Sequence, residues 1–198
     1  MEHQQLIALF TFAFVTIITP GPNNIMLMTS GANVGFMKTL PHMLGVTVGF
    51  SAMVTLIGIG LVGIFHAYPW LHNVLQAVSI MYLLYLSYAI ATSRAPTERG
   101  DDQYRPLTFW MAASFQWVNP KGWSMALSTV TLYNPEGNWH GIVIIALVFA
   151  LVNLPSTGIW TLAGQKLQQV LTHPTRLRMF NYAMAGLLLV SIVPVFVL

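Results

Sequence analysis

Two short segments place helix-breaking and polar residues in the middle of long apolar runs: Thr19-Pro20-Gly21-Pro22-Asn23-Asn24 and Gln116-Trp117-Val118-Asn119-Pro120-Lys121-Gly122. Proline lacks a backbone donor and clashes with the preceding turn, and glycine tolerates dihedrals that other residues avoid, so both segments should break a helix. Each also carries a restart signal. Thr19 or Gly21 can cap a new helix that opens on proline, and Asn119-Pro120 repeats that arrangement. A helix starting at such a point presents free N–H groups and about half a positive charge. Two of them facing one cavity, with the Lys121 ammonium beside them, make a site for a carboxylate. The amides of Asn23, Asn24 and Asn119 suit a neighbouring polar group such as an amine. Carboxylate plus amine describes a small amino acid.

Lys121 has a second reading. Inserting a lysine at mid-membrane costs on the order of 3 kcal/mol, which marks such residues as functional by default; the same ammonium can also cap carbonyls freed by a kink. Asn153, with Pro155 nearby, is a further polar and kinkable point expected to line the cavity. Gly45/Gly49 and Gly31/Gly35 have the GxxxG spacing of close helix packing, and Gly45 and Gly49 would let their span approach the broken first one. Tyr82 and Tyr85 read as packing aromatics, and Trp70, Trp110 and Trp139 as interfacial anchors.

The elements that must carry these residues are membrane helices. Of 198 residues, 56% are hydrophobic and 7% charged, against roughly 25% charged in soluble domains. The runs Leu6–Thr29, Met43–Phe65, Asn73–Thr92, Gly141–Gly164 and Met179–Leu198 lack any charge, and Leu107–Tyr133 holds only Lys121. Each is long enough to cross a bilayer core, which takes about 20 helical residues. The expected fold is therefore an all-α membrane protein of six transmembrane helices, a single membrane domain over residues 1–198. The N-terminus has no basic stretch of the kind that opens a cleavable signal peptide.

The solvated stretch 93–106 divides the chain into three spans over about 1–92 and three over about 107–198. An odd number of spans per half makes the second half enter from the opposite side, the inverted-repeat geometry of many secondary transporters. Pro20 and Pro120 are 100 positions apart, so the broken first and fourth helices correspond. Both restarted half-helices would then begin near the bilayer midplane.

Seven basic residues (Lys38, Arg94, Arg99, Arg105, Lys166, Arg176, Arg178) fall in the three loops on one side, and none in those opposite. This asymmetry puts the basic loops in the cytoplasm and both termini outside. It also accounts for the net charge of +3 without nucleic acid as a partner. With zero cysteines, disulfides and thiolate metal sites are excluded, no cofactor is expected, and no nucleophile–base pair points to an enzyme. All five acidic residues lie outside the spans, leaving Lys121 and His42 as titratable candidates for coupling. His42, at the cytoplasmic edge of the second span, is expected to be solvated. The glycine spacings are compatible with a homodimer in the lipid bilayer.

Thr19-Pro20-Gly21-Pro22-Asn23 in the first span, Gly35-Phe36 leading to Gly45 and Gly49, and Asn119-Pro120-Lys121 in the fourth together resemble the LysE superfamily of amino-acid exporters. Within it the chain looks like the RhtB branch, which includes exporters of homoserine, threonine, cysteine and O-acetylserine. The TPGPNN and MLGVTVGF stretches are most similar to the cysteine/O-acetylserine type. The resemblance covers the whole length and implies a secondary transporter exporting small neutral amino acids across a bacterial inner membrane, with protons as coupling ion. It directs attention to Pro20, Gly21, Pro22 and Asn23 and to Asn119, Pro120 and Lys121. Ser79-Ile80-Met81-Tyr82 departs from the family's pattern, which often has a glycine before the tyrosine. The alternatives are a cation or metal transporter of the same superfamily, for which no intramembrane carboxylate or thiolate is available, and a non-transporting assembly subunit, which leaves the buried lysine unexplained.

Overall fold

The computed structural model describes residues 2–93 and 104–193, and those residues form helices and connecting turns without a strand. In chain order they are α1 (His3–Ile18), α2 (Pro22–Val34), α3 (Phe36–Leu56), a π turn (Ile57–Leu61), α4 (Val62–Ala67), α5 (Trp70–Thr92), α6 (Phe109–Phe115), a 3-10 turn (Gln116–Val118), α7 (Pro120–Tyr133), α8 (Trp139–Gln168) and α9 (Pro174–Val190). Phe36–Leu61, Asn73–Thr92 and Trp139–Gln168 are each long and apolar enough to cross a membrane, and the bent pair α1–α2 makes a fourth if it is one span. The protein is an all-helical membrane protein.

Both expected breaks are present. α1 ends at Thr19, whose backbone is extended, and α2 starts afresh with Gly21 as N-cap and Pro22 at its first position, bent 57° from α1. In the second half, α6 tightens into the 3-10 turn and stops at Asn119; Asn119 is the N-cap of α7 and Pro120 opens it. Proline is tolerated at that position because its missing donor would have had no helical acceptor.

One further break was not expected. The apolar run Met43–Phe65 reads as one helix, but the chain winds into a π turn at Ile57–Leu61, where Gly60 takes φ +111, a left-handed conformation open to glycine. Upstream, Gly35 at φ +82 separates α2 from α3. α3 therefore starts at Phe36, ahead of the apolar run, with the Phe36 N–H donating to Gln165 Oε1 at 2.8 Å.

The apolar residues gather into two cores. One joins Met26 of α2, Leu83 and Leu86 of α5, Phe115 of α6 and Leu188 of α9. The other joins Leu9 and Ala13 of α1, Phe50 and Met53 of α3, Ala126 of α7 and Ile145 and Phe149 of α8. Each broken span gives its first half to one core and its second half to the other, in opposite senses. Both breaks thus fall at the seam between the cores, where polar groups can gather without cutting either.

Helix association in lipid relies on close packing more than on the hydrophobic effect, so small residues decide where backbones meet. α2 lies along α8, with Gly31 against the Thr161 carbonyl and Gly164 against the Met28 carbonyl and the Ala32 backbone. Gly45 and Gly49 correct the sequence reading. They abut not the broken first span but α6, at Phe109, Ala112 and Ala113; a Cβ on Gly49 would lie 2.5 Å from Ala113 Cα. The first span's close approach is supplied by Gly31 and Gly164 instead. Elsewhere α3 packs along α8 and α5 along α9. A buried amide cluster, Asn33 with Asn181 (2.8 and 3.1 Å) and Asn181 with Ser93 (3.2 Å), ties α2, α9 and the end of α5 together.

Candidate substrate site at the paired helix breaks

A single cavity is lined by both restarted helices. Gly21, Pro22, Asn23 and Asn24 come from the start of α2, and Asn119, Lys121 and Gly122 from the start of α7. Asn153 of α8 and Gln116 of the 3-10 turn complete the polar lining, with Ile17, Phe50 and Met125 as its apolar part. Thr19 joins through Lys121, whereas Pro20 and Pro120 shape the breaks without lining the cavity. Tyr82 packs on Phe115 at 5.5 Å instead of facing it.

Backbone donors are the main resource here. The first residues of any helix have N–H groups without an intrahelical acceptor. At α6 and α8 a side chain takes one of them: Thr108 Oγ1 accepts from the Met111 N–H at 3.3 Å and Asn138 Oδ1 from the Gly141 N–H at 2.7 Å. Neither α2 nor α7 has such a cap. The residues that bear these uncapped N–H groups, Asn23 and Asn24 and Lys121 and Gly122, line the cavity, at the positive ends of two helix dipoles. Lys121, at the second position of α7, adds its positive charge at a helix end that already favours anions, and no carboxylate lies in the lining.

The opposite polarity sits close by. α1 ends in carbonyls that have lost their helical donors, and side chains from across the break satisfy them. Asn24 Nδ2 donates to the Ile17 and Thr19 carbonyls at 2.8 and 2.9 Å. Lys121 Nζ donates to the Thr19 carbonyl at 2.6 Å and to Thr19 Oγ1 at 2.8 Å, so it also performs the capping role. Two of its three protons are used. Gly21 makes the reach possible by its lack of a side chain, not by its φ of −170, which any residue adopts. A Cβ there would lie 2.8 Å from Lys121 Cδ.

One residue of the cavity lining escaped the sequence reading. Gln116, fully buried, exchanges two hydrogen bonds with Asn23: Asn23 Nδ2 donates to Gln116 Oε1 at 2.9 Å, and Gln116 Nε2 returns one to Asn23 Oδ1 at 3.3 Å. Its Nε2 also donates to the Ala112 carbonyl at 2.8 Å. A glutamine deep in an apolar run was the available signal, overshadowed by the neighbouring Asn-Pro-Lys. Together with Lys121–Thr19, this amide pair links the two breaks at two points. Two polar groups keep spare capacity: Asn119 Oδ1 is buried without a partner, and the Asn153 amide makes no hydrogen bond among the described residues.

The family model of the LysE type translocators matches residues 14–198. The chain belongs to the LysE family. Curated relatives carry the name cysteine/O-acetylserine efflux protein. The one from Salmonella choleraesuis is 30% identical over 200 residues, covering 99% of this chain and 100% of the relative. The one from Escherichia coli strain K12 is 29% identical over 195 residues, covering 96% and 97%. No solved structure matches. The LysE family match runs through both breaks and every residue of the cavity lining.

Proposed function

We propose that this LysE-family chain is a proton-coupled exporter of small neutral amino acids of the cysteine/O-acetylserine kind, working in a bacterial inner membrane. The observation that carries the reading is the cavity in which two uncapped helix starts and Lys121 converge. The substrate carboxylate is bound by the N–H groups at the starts of α2 and α7 and by Lys121. The substrate ammonium goes to the carbonyl end of α1, where Lys121 reaches Thr19 in this structure; the lysine turns toward the carboxylate as the ammonium takes its place. Asn119 and Asn153 hydrogen-bond the polar side chain. The names of the relatives support the substrate class.

Six spans in two inverted three-span repeats, with both termini outside, complete the reading. In favour are the paired breaks and the exchange of partners between halves: the first broken span packs on the long helix α8 of the second half, and the fourth packs on the long helix α3 of the first. The cavity itself measures ≈ 30 Å³, room for about two waters. An amino acid enters only when the halves move apart, which is the alternating access expected of such a repeat.

The test is the amino-acid profile of the medium around bacteria overproducing the chain. Cysteine or O-acetylserine is expected to accumulate, and threonine and homoserine much less. An unchanged profile, with the protein verified in the membrane, overturns the export reading.

A further inference from the structure

His42 is not a solvated loop-edge residue, as its place in the sequence implied. It lies on the first turns of α3 with no exposed surface. Its Nδ1 is 3.5 Å from Ser30 Oγ on α2, a long hydrogen bond, and Ser30 Oγ is 2.8 Å from Tyr104 Oη in the segment before α6. Tyr104 in turn lines a cavity of about 280 Å³ that also holds Lys38, Arg105 and Gln168. The other ring nitrogen, Nε2, is buried without a partner. A titratable ring is thus joined by two hydroxyls to a roomy polar cavity at the basic end of the bundle. The binding site uses none of it.

We propose that His42 carries the proton of the exchange and discharges it through Ser30 and Tyr104 into the cytoplasmic cavity, an inference that rests on the proton-coupled reading above. A proton arriving at Nε2 makes the imidazolium. The Nδ1 proton passes to Ser30 Oγ as the serine's own proton passes to Tyr104 Oη and the phenol proton leaves to water. One proton enters at Nε2 and one leaves at Oη, and the ring remains neutral with its proton on Nε2. Burial holds the Tyr104 phenol up at about 12, against a smaller opposing pull from the Ser30 hydrogen bond, so the tyrosine relays as a neutral hydroxyl.

The surroundings make the charge felt. α2 and α6 carry no titratable side chain; α8 carries Lys166, exposed toward the same end, and His140 at the opposite end; α3 itself adds exposed Lys38. None of these elements has a carboxylate to offset an imidazolium. A buried unpaired charge is costly, so protonation favours a conformation in which the Tyr104 end of the relay opens to the cytoplasmic cavity. That opens the cytoplasmic side when a proton is on board, the order an exchanger needs.

The full chain in proteoliposomes tests this, with labelled cysteine kept reduced as probe. Two rates are compared, counterflow without a gradient and accumulation driven by an imposed pH difference. His42→Gln is expected to keep counterflow within about twofold of wild type while pH-driven accumulation falls on the order of a hundredfold, the low end of what a positioned proton-transfer group contributes. Undiminished pH-driven accumulation by His42→Gln overturns the inference and leaves the exporter reading intact. Should wild type itself ignore the pH difference, the proton-coupled reading fails and takes the inference with it. If His42→Gln does not insert, Ser30→Ala and Tyr104→Phe decide: wild-type accumulation in both contradicts the wire.

Discussion

Lys121→Met is expected to lower amino-acid transport on the order of a hundredfold while the protein still inserts and folds. Methionine keeps the stem that fills the space left by Gly21, where Lys121 Cδ would sit 2.8 Å from a Cβ, and removes only the ammonium. A charge-assisted hydrogen bond to a carboxylate contributes about 1.5–3 kcal/mol, and each 1.36 kcal/mol is tenfold. The two bonds to Thr19 are lost as well. If capping the end of α1 were the whole role of Lys121, the variant would lose thermal stability and retain near-normal transport per inserted molecule. Transport and melting measured on the same purified sample separate the two roles.

Gly164→Ala is expected to have the largest effect on stability. Its added methyl meets the Met28 carbonyl and the Ala32 backbone on α2, so relief requires α2 and α8 to separate. Overpacking of this kind costs about 1–3 kcal/mol, a fall of roughly 2–12 °C in Tm for a chain of this size. Gly31→Ala, which meets the Thr161 carbonyl from the other side, should behave alike. Gly186→Ala is the control, because nothing lies within 4 Å of its Cβ position. Equal Tm values for all three variants would mean that α2 and α8 do not approach as described.

What could be read from the sequence was what depends on local chemistry. Pro20-Gly21-Pro22 and Asn119-Pro120 break and restart helices by backbone rules that need no knowledge of neighbours, and the structure restarts both at Gly21 and Asn119. Facing was out of reach. Nothing local says that Gly45 and Gly49 meet α6, or that Gly31 and Gly164 take the first span to α8, because an all-round apolar helix in lipid carries little periodic signal. His42 was misjudged for the same reason: hydropathy put the span's edge at Met43, but α3 begins at Phe36 and buries the ring. The π turn at Ile57–Leu61 hides in an apolar Ile-Gly-Ile-Gly run, where glycine is common without a break. Gln116 was visible as a residue, but its partner Asn23 lies 93 positions away.

The central claim, that the paired helix starts bind the carboxylate of an amino acid, is tested most directly by calorimetric titration of the purified chain with cysteine and with cysteine methyl ester. Titrated at mildly acidic pH, where its weaker amine stays protonated, the ester keeps the ammonium and the thiol, removes the negative charge and adds one methyl group. Binding is expected to weaken on the order of a hundredfold for the ester, as loss of a charge-assisted bond implies, and Lys121→Met should bind the two compounds nearly alike. Equal affinity of the wild type for cysteine and its ester would contradict the account.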